Sequence, residues 1–266
     1  MPSVGRLRYL EALAPASVRP RGTLLLLHAF PLNARMWEPQ LALADHGWRI
    51  IAPHYRGMDG GDGDPPAASI DDYVADLIDL LDALHVDDAV VAGVSMGGYV
   101  AFGLLRHAAT YVRALILADT RSQADSPEAV EGRKRMLALV GEKGTAAVAD
   151  EMIPKLLGET SRRERPDVVA RVRSLILPSS AAAVAGAITA LMTRPDSTPL
   201  LASLHCPTLI LVGEEDTLTP LAMSQDLHRA ISGSTLEVIP KAGHLASLEQ
   251  PRTFNAELAD FLDHRV

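Results

Sequence analysis

Uninterrupted apolar runs alternate with helical stripes along most of this chain. Residues Thr23 to Leu27 offer no position from which one face could meet water, so they predict a central strand covered on both sides. The stretch ARMWEPQLALADHG that follows has helical spacing and closes at Gly47. Trp48 to Pro53 predict the next strand, with RGMDGGDGDPPAA as its loop. Ser69 then precedes a stripe of Ile70, Tyr73, Val74, Leu77, Ile78, Leu81 and Leu84, with Asp72 three residues on, the arrangement of a reciprocal helix cap. DDAVVAGVSMGGYV reads as strand, tight turn and helix, and Val112 to Ala118 as a further buried strand. Strands alternating with helices need parallel crossovers, which predicts an α/β chain with a doubly wound, mostly parallel sheet. RLRYLEAL, at residues 6 to 13, alternates loosely as an outer strand, with too few residues before it for another full strand.

The alternation stops near Ser126. Up to about Asp196 only helical signals occur, in SPEAVEGRKRMLALV, TAAVADEMIPKLL, RPDVVARVRSLIL and SSAAAVAGAITALM, punctuated by Gly, Pro and Ser. Four helices without a strand predict a helical cap, residues 124 to 203, inserted into a core made of 1 to 123 and 204 to 266. The sheet resumes at Pro207 to Val212. Thr219 and Pro220 then predict a helix start, with Pro at the first helical position, Ser234 to Ile239 a last strand, and a final helix opens near Pro251.

Composition narrows the function classes. A net charge of -8 argues against a nucleic-acid partner, because a phosphate-binding face needs concentrated Lys and Arg. The clusters Arg133-Lys134-Arg135 and Arg162-Arg163 are short, flanked by acids, and read as solvated helix faces. A single cysteine, Cys206, excludes an intramolecular disulfide and any multi-cysteine metal site; it precedes Pro207 and reads as packing. Asp59, Asp62 and Asp64 lack the spacing and distal Glu of a calcium loop, and the same glycine-rich loop has no Lys with which to cradle phosphate. No signal-peptide core and no apolar stretch near the roughly twenty residues of a membrane span occur, so a cytoplasmic protein without a membrane partner is expected. No metal and no cofactor are expected, and a monomer or homodimer.

Candidate chemistry gathers where such sheets place it, at the carboxyl ends of strands. Ser95 sits in Gly93-Val94-Ser95-Met96-Gly97-Gly98, where small neighbours let a serine occupy a strained turn between strand and helix. Asp216 and His244 follow later strand ends, in the order Ser, Asp, His. An imidazole can take the serine proton near neutral pH, and a carboxylate can hold the imidazole's other nitrogen. Glu215 and Asp119 remain alternative partners for His244. His28, next to the loop after the first long strand, reads as a packed, hydrogen-bonded residue, and His107, His228 and His264 as helix-surface residues.

GVSMGG, the HAFP stretch, VGEEDTLTP and AGHLASLEQP together resemble the α/β-hydrolase superfamily, and within it esterases and lactonases with a helical cap, of the 3-oxoadipate enol-lactonase type. The resemblance spans nearly the whole chain and is weakest in the cap. It implies Ser95 as nucleophile, His244 as base and Asp216 as its partner, with the backbone N–H groups of Phe30 and Met96 as oxyanion hole. It also implies a small-molecule ester or lactone as substrate. Ala29, Met136, Leu157, Leu191, Met192, Leu218 and Leu245 are the candidate substrate contacts, under an apolar roof. Two kinds of rival remain: other chemistry on the same triad, on C–C, amide or lactam bonds or with peroxide, and a slow-turnover small-molecule receptor.

Overall fold

A computed structural model describes residues 1–61 and 65–266. These carry eight strands, β1 (Ser3–Val4), β2 (Leu7–Ala12), β3 (Gly22–Leu27), β4 (Trp48–Pro53), β5 (Ala89–Val94), β6 (Val112–Ala118), β7 (Thr208–Gly213) and β8 (Thr235–Ile239). They form one sheet in the order β1-β2-β4-β3-β5-β6-β7-β8. The pairs β1/β2 and β2/β4 are antiparallel and the rest parallel. The few residues ahead of β2 form the two-residue edge strand β1. Leu24 to Leu27 are wholly buried, as their unbroken apolar run requires. From β3 the chain moves outward to β4 and returns to β5 on the other side. The loops after β3 and β5 therefore diverge and leave a crevice at the carboxyl edge. Pairing Leu27 with Gly93, Val94 with Ala118 and Ala118 with Leu211 brings the loops after β3, β5, β6 and β7 to that same edge.

Helix α1 (Ile70–Ala83) has the reciprocal cap its sequence predicts, with Asp72 N–H donating to Ser69 Oγ at 3.1 Å and Ser69 N–H to Asp72 Oδ2 at 2.9 Å. Helix α2 (Met96–Ala108) starts directly after Ser95. The segment Ala34–His46, expected as an α-helix, winds instead as tighter 3-10 turns. Pro39 inside it has no N–H to donate, so a regular i to i−4 ladder is broken there. Asp59, expected in a solvated loop, has its carboxylate covered and paired with Arg8 at 2.5 Å; Asp62 and Asp64 lie outside the described residues.

Between β6 and β7 the chain forms α3 (Pro127–Leu156), α4 (Glu159–Glu164), α5 (Pro166–Ile176), α6 (Ala181–Thr193) and α7 (Thr198–Leu201). The first two expected helices run on as α3, broken only where Gly144 takes φ +73. Helix α4 has no apolar stripe by which the sequence would announce it. Helix α6 buries Val184, Ala187, Ile188 and Leu191 and lies close on the loop before α1: a Cβ on Gly186 would stand 2.2 Å from the Ala67 carbonyl oxygen. The two ends of this helical stretch are tied to each other. Arg194 pairs with Asp125 at 2.8 Å and donates to the Gln123 carbonyl at 2.9 Å, and Ser197 N–H donates to the Ser122 carbonyl at 2.9 Å. The remaining helices are α8 (Leu221–Ala230), between β7 and β8, and α9 (Ala246–Glu249) and α10 (Pro251–His264), after β8. Pro220 stands just ahead of α8, outside its first turn, and Thr219 gives that helix no side-chain cap. Among the described residues no single helix is long and apolar enough to cross a membrane.

Candidate active site

Ser95 occupies a backbone conformation of φ +54 and ψ −113, rare for a residue with a side chain and costing about 1–3 kcal/mol. Its surroundings enforce it. Ser95 N–H donates to the Ala118 carbonyl at 3.0 Å, and the Thr120 hydroxyl donates to the Ser95 carbonyl at 2.8 Å. The flanking glycines are needed for closeness: a Cβ on Gly93 would lie 2.3 Å from the Gly97 carbonyl carbon, and one on Gly97 2.1 Å from the Leu27 carbonyl oxygen. Strand β5, helix α2 and strand β3 thus meet backbone to backbone, and the serine is turned out of the sheet.

Two later loops bring partners to it. Ser95 Oγ and His244 Nε2 are 2.7 Å apart, and His244 Nδ1 is 2.8 Å from Asp216 Oδ2. A buried carboxylate only accepts, so Nδ1 carries the proton and Nε2 is left to accept from the serine hydroxyl. Asp216 has three further donors. The Thr219 hydroxyl reaches Oδ2 at 2.6 Å, and the N–H groups of Leu218 and Thr219 reach Oδ1 at 2.8 and 3.1 Å. Burial works to raise the Asp216 pKa, but His244 and the donors from Thr219 outweigh it and hold the carboxyl below its ordinary value. Burial likewise works to lower that of His244, and the Asp216 charge outweighs it, so His244 is raised. An imidazole so placed can take a proton from Ser95 and be stabilised once charged.

The alternative partners have other tasks. Glu215 accepts from Thr160 N–H at 2.8 Å. Asp119, fully buried, accepts from Gly213 N–H at 2.7 Å and Ala246 N–H at 3.3 Å, joining the end of β7 to the residues after His244. Burial, and then the charge of Asp216, push its carboxyl up to about 8. Glu249 accepts from Gly243 at 2.8 Å, Leu245 at 3.3 Å and Gly158 at 2.9 Å, which fixes the His244 loop against the end of α3. His28 is packed as expected: Nδ1 donates to the Ala29 carbonyl at 3.1 Å, Nε2 accepts from Tyr55 N–H at 3.1 Å, and burial lowers its pKa to about 3.

Ser95 and His244 open onto a cavity of about 290 Å³. Phe30 lines it too, and Met96, as first residue of α2, has an N–H with no acceptor inside the helix. Of the expected substrate contacts Met136, Leu191 and Leu218 line the cavity. Ala29, Leu157, Met192 and Leu245 are not among its lining. Ala29, Leu157 and Leu245 are buried in the core instead, and Met192, one residue beyond Leu191, is turned about a quarter of a helical turn away. The lining also holds residues that apolar patterning passes over: Tyr99, Arg121, Arg133, Met152, Lys155 and Thr219. Arg133 corrects the reading of its basic run as a solvated face. Lys134 is exposed and pairs with Glu131, whereas Arg133 turns to the cavity and donates to Asp125 at 3.1 Å. The spacing of Thr219, three residues after Asp216 in a turn, was the one local hint available for these.

A family model described as alpha/beta hydrolase fold matches residues 22–251. Among curated proteins, the chain is 28% identical to 3-oxoadipate enol-lactonase 2 of Acinetobacter baylyi over 235 residues, 88% of this chain and 86% of that one. Among solved structures it is similar to a thermophilic esterase from Thermogutta terrifontis, solved with malate bound, at a TM-score of 0.90 and 37% identity, covering 97% of this chain and 93% of the other. The enol-lactonase from Burkholderia xenovorans shares the fold at a TM-score of 0.86 and 24% identity, over 97% of this chain and 96% of its own. The chain belongs to the α/β-hydrolase fold family and is an enzyme of it.

Proposed function

We propose that this enzyme hydrolyses small carboxylic esters or lactones through an acyl-enzyme on Ser95. The observation that carries the reading is the unbroken series from Ser95 Oγ through His244 to Asp216, at 2.7 and 2.8 Å, opening on one cavity. His244 Nε2 takes the hydroxyl proton as Oγ bonds to the carbonyl carbon. The N–H groups of Phe30 and Met96 hold the oxyanion so formed, preset where the charge appears. The C–O bond to the leaving group breaks, and the alkoxide takes the proton from His244. In a lactone that alcohol stays joined to the acyl chain. Water then gives its proton to His244, attacks the acyl carbon, and Ser95 leaves with the proton returned. Kinship to an enol-lactonase and an esterase supports the substrate class.

Ser95→Ala tests it. The change deletes one oxygen at a site already built for small groups and leaves the Cβ, and so the backbone strain at φ +54, as it was, so the variant should fold with a melting temperature close to that of the wild type. Turnover of 4-nitrophenyl acetate and butyrate should fall by about 10³-fold or more. A phosphonate probe, followed by mass spectrometry of the wild-type protein, should label Ser95. Undiminished turnover in the variant would sink the reading.

A further inference from the structure

The loop that carries Phe30 is bonded to the helical stretch between β6 and β7 by one side chain. Asn33, three residues on and 2% exposed, uses its two polar atoms for different tasks. Its Oδ1 accepts from Arg35 N–H at 3.0 Å and caps the segment Ala34–His46, a task that Ser, Thr or Asp would do as well. Its Nδ2 donates at 2.7 Å to the carbonyl of Leu175, 142 residues away and in the last turn of α5. Carbonyls in that turn have no donor inside their own helix. The N–H four residues on, that of Ser179, goes to the Ile176 carbonyl at 3.1 Å instead. Asn33 thus supplies the donor that the buried Leu175 carbonyl would otherwise lack among the described residues.

Helix α5 is fastened on both sides. Arg173 pairs with Asp150 at 2.5 Å, and the Thr145 hydroxyl donates to the Ser179 carbonyl at 2.9 Å, so α5 and the part of α3 after Gly144 are held as one body. That part of α3 gives Met152 and Leu156 to the lining of the cavity beside Ser95. Toward the sheet, Arg171 reaches Glu38 and, at 3.2 Å, the Arg35 carbonyl, and the Ser179 hydroxyl donates to the Met58 carbonyl at 3.1 Å. The other end of the Phe30 loop is held by Ala29 N–H donating to Met36 Sδ at 3.2 Å. A thioether is a weak acceptor, so that end is fixed the more loosely. The amide of Asn33 therefore links the oxyanion side of the site to the helices that roof the cavity.

We propose that Asn33 is a positioning residue for the hydrolysis: by holding the Leu175 carbonyl it sets the Phe30 N–H against Ser95, so that the helices between β6 and β7 complete the oxyanion hole. The inference rests on the ester-hydrolase reading above. Asn33→Ser tests it, because serine keeps an acceptor for Arg35 N–H and is too short to donate to Leu175. With 4-nitrophenyl butyrate, and active sites counted by phosphonate labelling, kcat per active site should fall by about tenfold while KM stays within about twofold, since a displaced oxyanion donor is missed mainly in the transition state. Affinity for a trifluoromethyl ketone, whose adduct with Ser95 places an anionic oxygen in the hole, should weaken by about the same factor. The acid limb of kcat/KM against pH, which reports His244, should stay in place, because the bond touches neither of the loops that carry Asp216 and His244. Asn33→Thr gives the same readout should Asn33→Ser fail to fold. Unchanged kcat per active site, unchanged ketone affinity or a shifted acid limb overturns the inference, while turnover of the ester by the wild type keeps the hydrolase reading. If the wild type neither turns over the ester nor takes phosphonate at Ser95, both fall.

Discussion

Replacing Thr219 by Val removes one hydroxyl and almost no volume. That hydroxyl donates at 2.6 Å to Asp216 Oδ2, the same oxygen that His244 Nδ1 contacts at 2.8 Å, while the Thr219 backbone N–H to Oδ1 survives the change. Asp216 therefore keeps three of its four donors. A hydrogen bond to a charged group contributes about 1.5–3 kcal/mol, and for a chain of this size about 2–4 °C of Tm goes with each kcal/mol, so Tm should drop by about 3–12 °C. The sign of the second effect follows from the same bond. A carboxylate with one donor fewer is more basic and stabilises an adjacent imidazolium more, so the already raised pKa of His244 should rise further. In the proposed mechanism His244 must be neutral to accept the serine proton. The acid limb of kcat/KM against pH should thus move to higher pH, by up to about one unit, one unit being about 1.36 kcal/mol of differential stabilisation. The assay is calorimetry together with a pH–rate profile on 4-nitrophenyl butyrate. A Thr219→Val protein with wild-type Tm and a superimposable profile refutes the reasoning.

Gly97→Ala sets a Cβ 2.1 Å from the Leu27 carbonyl oxygen, where only backbone is available to yield. Forcing α2 away from β3 should cost about 1–3 kcal/mol and, by shifting Ser95 against Phe30, about 10²-fold in kcat, read by urea unfolding and steady-state kinetics; a fully active variant would show the close approach to be dispensable. Asp119 makes stability depend on pH in an unusual direction. Its carboxyl titrates near 3.8 when unfolded and at about 8 when buried, so between those values the native state holds a proton the unfolded chain has lost, and stability falls as pH rises through that window. Asn tolerates the φ of +46 at this position, and Asp119→Asn should lose less stability between pH 5 and pH 8 than the wild type in urea titrations; equal losses would contradict the assignment.

What the chain determined by itself is what depends on neighbours in sequence. Burial on both faces writes an unbroken apolar run, and β3 and β5 follow from theirs. A cap is a bond between residues three apart, so Ser69 and Asp72 announce the start of α1. The tight turn at Ser95 needs small residues at fixed offsets, and the glycines at 93 and 97 supply them. Tertiary structure decided the rest, because the partners come from loops far apart in the chain whose meeting depends on strand register. Glu215, Asp119 and Asp216 are equally acidic on paper; the sheet edge gives His244 to Asp216 at 2.8 Å and turns the other two to backbone amides. The basic run at 133 to 135 looks like any solvated helix face until Asp125 covers one side of Arg133 and the cavity meets the other. Leu191 and Met192 are alike in hydrophobicity, and only the rotation of α6 against the core sends one to the cavity beside Ser95 and the other away. Periodicity encodes that a face is buried; what it is buried against is a property of the assembled fold.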